Sequence, residues 1–402
     1  MESTRTVAIG SWIGVGARDE PASLAGVSHF LEHLLFKGTQ TRSATAISQS
    51  VDRVGGDINA YTSKEYTTYY CRVPARATSL GIELLGDVLT APALRDDDVE
   101  SERRVILDEL AMDDDSPEDV AHRVFAERVF ESHSLGRETA GERDSVERLS
   151  TSDVRQFFGD HYRTENTVVA VAGAVDPDEV ISLVEKAFCD MPVGDGRVAR
   201  HVPTATGESV AIEDDTEQTH LVLGGRAFAR DDPDRETLDV VNHVLGGGLS
   251  SRLFDEIRER RGLAYSVFSS VAAYADSGMW SVYAGALPEN GDEVRRLLFG
   301  EVERLVSGGI TADELEIAQG YLTGSYEMGL EDSGARMSRL GGQLTVYGQL
   351  RAIEDQLQRW SNVTIDDAQR VIDRVYAAEP VISVTLGPSA RRPRRRRVRS
   401  AS

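Results

Sequence analysis

The first part of the chain alternates between short apolar runs and stretches in which apolar residues recur every three or four positions. Apolar runs rich in β-branched residues predict strands at Val7–Val15 and Asn166–Ala174, and tyrosine–threonine alternation predicts a hairpin at Asp57–Val73. Helical spacing predicts helices at Ser23–Phe36, Ala44–Val54, Ala75–Leu89, Asp96–Met112, from Ser116 onward, and at Pro177–Phe188. A mixture of this kind is typical of an α+β domain.

The second half of the chain repeats this pattern faintly. Ala17–Pro21 (ARDEP) follows the first strand, and Ala229–Pro233 (ARDDP) follows an apolar strand at His220–Gly224. The helix that starts at Asp96 also has a counterpart, which starts at Ala312. We interpret the match in sequence and in element order as an internal duplication of an α+β domain.

The predicted boundary between the two copies lies where periodicity is weakest. Residues 191–207 are rich in glycine, proline and polar residues and predict a linker between a domain at 1–190 and a domain at 208–388. Residues 389–402 carry seven arginines and no acidic residue, and they are predicted to be a disordered basic tail. We expect each domain to contain a mostly antiparallel sheet packed with helices.

Composition narrows the class of protein. The chain has 402 residues, of which 40% are hydrophobic and 28% charged, as in soluble globular proteins. Its net charge of −23 argues against a nucleic-acid-binding surface and favours cationic partners. No apolar run is long enough to span a membrane and no secretory signal is recognisable, so a cytoplasmic location is expected. Cys71 and Cys189 do not suggest a disulfide framework or a thiolate metal site.

The sequence His29-Phe30-Leu31-Glu32-His33 carries the clearest chemistry. On a helix, His29 and His33 lie one turn apart on one face, where two imidazoles can share one zinc ion. Glu32 lies on the same side and can accept a proton from water that zinc has made acidic. The alternative interpretation is a surface helix on which Glu32 merely pairs with a histidine.

A catalytic zinc ion needs a third protein ligand. The helix predicted from Asp96 offers Glu100, Glu102, Asp108 and Glu109, and of these Glu102 and Glu109 share a face because they are seven residues apart. The chemistry of the side chains does not choose between Glu102 and Glu109.

Four segments resemble the pitrilysin/insulinase family of zinc metallopeptidases, and in particular its shorter bacterial members that resemble mitochondrial processing peptidases. They are GVSHFLEHLLFKGT from Gly26, GGDINAYTSKEYTTYY from Gly55, ERRVILDEL from Glu102 and SSRLFDEIRERRGLAYSVFS from Ser250. The resemblance extends from about Val7 to about Leu386. It implies two homologous α+β domains that form a clamshell-type peptidase.

The resemblance also implies roles for individual residues. His29, His33 and Glu109 are the implied ligands of one zinc ion per chain, Glu32 is the implied catalytic base, and Glu102 supports the site. A departure from the family pattern is Asp108, which stands where many relatives have glutamate. Relatives also usually have a further strand before the one at Val7, so we expect either a trimmed start or a sheet that lacks an edge strand.

Substrate contacts are implied for two further pairs. Asn59 and Ala60 match the strand along which the substrate lies as an added strand, and Arg258 and Tyr265 match a pair that grips the substrate and stabilises the tetrahedral intermediate. Without the resemblance, Arg258 is one arginine of a charged run and Tyr265 one tyrosine of an apolar strand.

The expected function is that of an endopeptidase acting on short or unfolded peptides, cationic ones in particular. The resemblance implies a homodimer, or a heterodimer with a related chain, in which the zinc of one chain faces Arg258 and Tyr265 of the other. The alternative is a non-catalytic partner or assembly subunit of a processing-peptidase-like complex. The complete set of metal and base residues argues against that alternative.

Overall fold

Two β-sheets, each packed with helices, organise the computed structural model, which describes residue 1 and residues 4–388. The predicted basic tail at 389–402 lies outside the described residues. One compact unit comprises residues up to Asp113, Ser132–Pro203 and Gly320–Ser361, and the other comprises the remaining stretches. None of the described helices is both long and apolar enough to cross a membrane.

The sheet of the first unit has four antiparallel strands. They are β1 (Thr6–Ile13), β2 (Asp57–Thr62), β3 (Thr67–Pro74) and β4 (Thr167–Gly173). Their order across the sheet is β2-β3-β1-β4, so β2 is an edge strand. The predicted hairpin and both predicted strands of this half are confirmed.

The first half of the chain also contributes eight α-helices. They are α1 (Val27–Leu35), α2 (Ala44–Asp52), α3 (Thr78–Thr90), α4 (Asp96–Asp114), α5 (Pro117–Val129), α6 (Arg143–Arg148), α7 (Thr151–His161) and α8 (Pro177–Ala187). Helix α1 begins four residues later than predicted because Gly26 adopts a left-handed conformation with φ of 94°. Helices α6 and α7 were not predicted.

The second unit contains a five-stranded mixed sheet. Its strands are β5 (Val210–Glu213), β6 (Thr219–Ala227), β7 (Ala264–Ala273), β8 (Gly278–Ala286) and β9 (Ile382–Gly387). The later helices are α9 (Arg235–Asn242), α10 (Gly291–Gly308), α11 (Ala312–Gly329), α12 (Ser333–Tyr347), α13 (Ile353–Ser361) and α14 (Ile365–Val371). The strand order is β5-β9-β6-β8-β7. Four strands in the order β7-β8-β6-β9 repeat the order β2-β3-β1-β4, which supports the internal duplication.

The two units are not continuous in sequence, unlike the predicted ranges 1–190 and 208–388. Helix α12, from the second half, packs against β1 and β4 of the first sheet, where Met337 joins Trp12 in a buried cluster. Helix α5, from the first half, packs against β6 and β9 of the second sheet. Because β1 is buried along nearly its whole length, both of its faces need cover, and hydrophobic burial brings in helices that are distant in sequence.

Residues 191–207 contain no helix or strand, as expected of a linker, but side-chain hydrogen bonds hold part of this segment in place. The Arg200 guanidinium donates to both carboxylate oxygens of Asp19, at 2.8 and 2.9 Å. Arg200 also donates to the backbone carbonyl of Glu65, whose carboxylate pairs with Arg18 at 2.6 Å. Residues 191–203 therefore belong to the first unit instead of moving freely between the two domains.

Two adjacent glycines of α12 offer a matched test of this packing. A Cβ atom at Gly341 would lie 2.1 Å from ring carbons of Trp12, whereas a Cβ atom at Gly342 would meet nothing within 4 Å. We expect Gly341→Ala to lower the free energy of unfolding by about 1–3 kcal/mol through overpacking. Gly342→Ala is expected to raise it by about 0.5–1 kcal/mol, because alanine restricts the unfolded chain and favours helix. Urea unfolding measures both free energies. Equal effects of the two substitutions would contradict the packing of α12 against Trp12.

Candidate metal centre

Helix α1 buries its apolar side chains and leaves its two histidines partly exposed. Phe30, Leu31 and Leu34 are fully buried, whereas His29 and His33 are partly exposed. Three- and four-residue spacing puts the apolar side chains on one side of the helix and the two imidazoles together on another. Their ring centroids lie 4.7 Å apart.

A buried carboxylate fixes the start of this helix. Glu20 accepts hydrogen bonds from the backbone N–H groups of Gly26 and Ser28, each at 2.7 Å. Free N–H groups at a helix start favour a negative charge, although burial raises the pKa of Glu20 to about 7. Glu20 therefore helps to set the position of His29 in the next turn. Sequence analysis missed this role because Glu20 lies outside the helix that it anchors.

Helix α4 brings the third donor to the imidazole pair. The Glu109 carboxylate oxygen Oε2 lies 3.5 Å from His33 Nε2 and 3.8 Å from His29 Nε2. One ligand atom from each of these three residues falls within 4.8 Å of the others, and within residues 4–388 this is the one group of three or more such side chains. Of the two carboxylates that the side-chain chemistry left open, Glu109 is the one that lies within 3.8 Å of both Nε2 atoms.

Glu102 lies on the other side of His33. Its Oε2 atom is 3.2 Å from His33 Nδ1, and the residue is 3% exposed. A carboxylate can only accept a hydrogen bond, so Nδ1 is the protonated ring nitrogen and the lone pair of Nε2 points towards Glu109. Partners of this kind set the tautomer and orientation of metal-binding histidines.

These donors fit a zinc ion. Zinc bonds to histidine nitrogen and carboxylate oxygen at roughly 2.0–2.2 Å in a tetrahedron, which places neighbouring ligand atoms about 3.3–3.5 Å apart. The two measured distances to Glu109 lie close to that spacing. Three protein donors also leave a fourth tetrahedral position for water or substrate, as catalytic zinc sites require.

The electrostatics of the site suit metal binding and proton transfer. Burial and the neighbouring His33 lower the pKa of His29 to about 4, so His29 is neutral and able to donate a lone pair at physiological pH. Burial raises the pKa of Glu32 above its ordinary value, and this makes the Glu32 carboxylate a stronger base.

The edge strand β2 holds the Glu32 side chain in place. Thr62, the last residue of β2, donates a hydrogen bond from Oγ1 to Glu32 Oε2 at 2.6 Å. The predicted substrate residues Asn59 and Ala60 lie on the same strand, three and two positions earlier, and the Asn59 side chain accepts from the Ala60 N–H. The structure thus brings the predicted substrate strand and the predicted base together through Thr62, a residue that sequence analysis did not single out.

Removal of the Thr62 hydroxyl should raise the pKa of Glu32. In Thr62→Val the isosteric side chain can no longer donate to Glu32, and that hydrogen bond lowers the pKa of Glu32. We therefore expect the acidic limb of the pH profile of kcat/KM to move to higher pH, because Glu32 would stay protonated over a wider range. A hydrogen bond to a charged group is worth about 1.5–3 kcal/mol, so kcat/KM on the acidic limb should fall about tenfold or more. Thr62→Ser keeps the hydroxyl and should keep the parent profile, whereas an unchanged profile in Thr62→Val would exclude this role.

Arg258 and Tyr265 lie together in the second unit. The Arg258 guanidinium carbon is 4.7 Å from the centre of the Tyr265 ring, and Arg258 donates to the Tyr265 carbonyl at 3.0 Å. Tyr265 is the second residue of the edge strand β7 and is 79% exposed. The stacked arginine fixes the ring while the phenol stays accessible.

Two protein-family models match this chain. Residues 1–143 match the family model described as "Insulinase (Peptidase family M16)", and residues 148–322 match the one described as "Peptidase M16 inactive domain". All the predicted metal and base residues lie in the first of these two regions.

Similar proteins span nearly the whole chain. An uncharacterized zinc protease of Streptomyces coelicolor is 42% identical, over 96% of this chain and 86% of its own length. One from Bacillus subtilis is 33% identical, over 97% and 95% of the two chains. The crystal structure of a protease from Helicobacter pylori has a TM-score of 0.90 at 25% identity and covers 96% of this chain and 95% of its own. A structure described as a peptidase M16 inactive domain from Pseudomonas fluorescens has the same fold, with a TM-score of 0.91 at 20% identity over 97% and 94% of the chains.

Proposed function

Because this chain belongs to the insulinase family of peptidases, family M16, we propose that it is a zinc-dependent endopeptidase that cleaves short or unfolded peptides. The observation that carries the proposal is the meeting of His29, His33 and Glu109 at ligand spacing. Glu32 adds a carboxylate to the same helix, and Thr62 holds it.

The residues of the chain divide the chemistry among them. His29, His33 and Glu109 hold the ion, and Glu102 keeps His33 in the tautomer that can bind it. When bound, zinc acts as a Lewis acid and lowers the pKa of water towards ~7, so that a carboxylate can deprotonate it. Glu32 accepts that proton as water attacks the scissile carbonyl, and it then returns the proton to the leaving amine.

The choice of substrate depends on the exposed edge of the first sheet. An edge strand offers backbone donors and acceptors to an extended peptide without demanding a particular side-chain sequence. We assign this role to β2 at Asn59 and Ala60, which favours peptides that are short or unfolded over folded proteins. The net charge of −23 favours cationic peptides, and salt is therefore expected to weaken their cleavage.

Arg258 and Tyr265 are assigned to the substrate as well. A phenol and a guanidinium aimed at the developing oxyanion stabilise the transition state more than the ground state. The exposure of Tyr265 leaves its hydroxyl available for such a contact.

A non-catalytic partner subunit is the second candidate. It draws support from the match of residues 148–322 to the model described as an inactive domain. That region begins after Glu109, however, and so the match says nothing about the metal centre. A subunit without catalysis would have no use for Glu32 beside that centre.

The test uses the full chain. Bound zinc is measured by mass spectrometry of the metal, and cleavage is measured with quenched-fluorescent unfolded peptides beside a folded protein of similar sequence content. We expect one zinc ion per chain, internal cleavage of the peptides, loss of cleavage with a chelator and recovery with added zinc. A zinc-loaded protein that cleaves none of the peptides would overturn the proposal and favour the partner subunit.

A further inference from the structure

Basic and acidic side chains alternate along the contact between α1 and α4. His29, His33 and Lys37 are four residues apart, so they follow one face of α1 and the turn after it. Glu109 and Glu102 are seven residues apart and share a face of α4. The order across the contact is His29, Glu109, His33, Glu102, Lys37.

Lys37 is the last residue in this series of alternating basic and acidic side chains. Its Nζ atom lies 2.6 Å from Glu102 Oε1, while Oε2 of the same carboxylate faces His33 Nδ1 at 3.2 Å. Within residues 4–388, Lys37 and His33 are the ion-pair partners of Glu102. Burying a carboxylate is costly unless a cation and hydrogen bonds compensate, and the Lys37 ammonium places a cation beside Oε1 of the buried Glu102.

We propose that Lys37 is a positioning residue of the metal centre. Its ammonium fixes the Glu102 carboxylate, which orients His33 so that Nε2 faces the ion. The inference rests on the proposed zinc site, and it assigns to Lys37 an effect on metal affinity without any contact with the metal or the substrate.

The identity of the residue supports this assignment. Of 44 basic Lys and Arg residues, 41 are arginine and three are lysine. Lys37 is one of these three, and the geometry of its contact with Glu102 suits an ammonium. The ammonium is a compact point charge that fits one carboxylate oxygen, whereas the planar guanidinium is larger and prefers to bind both oxygens. Oε2 of Glu102 must stay free for His33.

The local backbone sets the point at which the Lys37 side chain leaves the chain. The N–H of Lys37 donates to the Leu34 carbonyl at 3.0 Å, which continues the last turn of α1. Gly38 follows with φ of 132° and turns the chain away. The Lys37 side chain therefore leaves the chain one turn beyond His33, directly opposite Glu102 on α4.

The test compares zinc affinities, measured by competition with a chelating indicator. Lys37→Met should weaken zinc binding about tenfold, the lower end of the range for residues that support metal ligands. Lys37→Arg, which keeps the charge, should recover part of that loss. Lys186→Met is the matched control, because Lys186 lies exposed on α8, and its affinity should equal that of the parent.

A double-mutant cycle separates positioning through Glu102 from a general effect on the fold. If Lys37 acts through Glu102, Lys37→Met should cost little more in the presence of Glu102→Gln, so that the double variant binds zinc like Glu102→Gln alone. The absorption spectrum of the cobalt-loaded Lys37→Met protein should also differ from that of the parent, because it reports the ligand geometry. Thermal unfolding of the metal-free proteins monitors folding, and Lys37→Gln replaces Lys37→Met if the latter does not fold.

Three results would overturn the assignment: parent-like zinc affinity in Lys37→Met, additive losses in the double variant, or no recovery in Lys37→Arg. A parent protein that binds zinc without cleaving peptides would contradict the proposed function but not the positioning role of Lys37. A parent without affinity for zinc would overturn both.

Discussion

Replacement of Glu32 by glutamine should leave zinc bound and reduce kcat/KM for peptide cleavage by about 10²–10⁴-fold, the usual contribution of a general base. Glutamine has nearly the shape of glutamate and can still accept the hydrogen bond from Thr62, but it cannot take a proton. His29, His33 and Glu109 are unchanged in this variant, so the metal donors stay in place. The measurements are zinc content and cleavage of a quenched-fluorescent peptide.

Glu185→Gln is the control for this substitution. Glu185 lies exposed on α8, and its replacement removes the same charge from the chain without touching the metal centre. It should cleave like the parent. Full cleavage by Glu32→Gln would refute the assigned base, and loss of its zinc would show that Glu32 holds the metal instead of the proton.

Replacement of His33 by alanine should remove both zinc and cleavage. His33 supplies one of the three donors and also carries the contact to Glu102, so the variant loses a ligand and leaves a buried carboxylate with one partner fewer. Loss of a direct ligand should cost more than the roughly 10–100-fold in affinity that is typical of supporting residues. Chelator competition measures the affinity, and the peptide assay measures the activity.

His201→Ala is the matched control for His33→Ala, since the His201 side chain is exposed and the backbone carbonyl that Arg18 and His133 contact would remain. It should keep zinc and activity. A His33→Ala protein that retains zinc at the affinity of the parent would exclude His33 as a ligand, whatever its activity.

The sequence is most informative where periodicity and chemistry coincide. Strong apolar runs predict β1 and β4 within one to two residues, and tyrosine–threonine alternation predicts the hairpin of β2 and β3. The start of α1 is predicted less well, because a helix pattern does not reveal that Gly26 turns left-handed. The placement of α5 and α12 could not be read from local pattern at all, since the sheets that they cover are formed by residues far away in sequence.

The metal centre illustrates the same limit. Four-residue spacing is enough to pair His29 with His33, but the choice between Glu102 and Glu109 depends on the register of α4 against α1, which no local pattern encodes. Thr62 could not be identified because its contact with Glu32 crosses between a strand and a helix. Lys37 could have been identified from the sequence, because it continues the four-residue spacing of His29 and His33 beyond the end of the helix.

Because α5 and α12 each cover a sheet formed by the other half of the chain, the two halves depend on each other for folding. A fragment that ends near residue 190 would retain β1 and β4 but lack α12, and it would present Trp12 and Ala8 to water. The complementary fragment would lack α5 over β6 and β9. Neither half is therefore a self-sufficient folding module, because each sheet is covered by a helix from the other half of the chain.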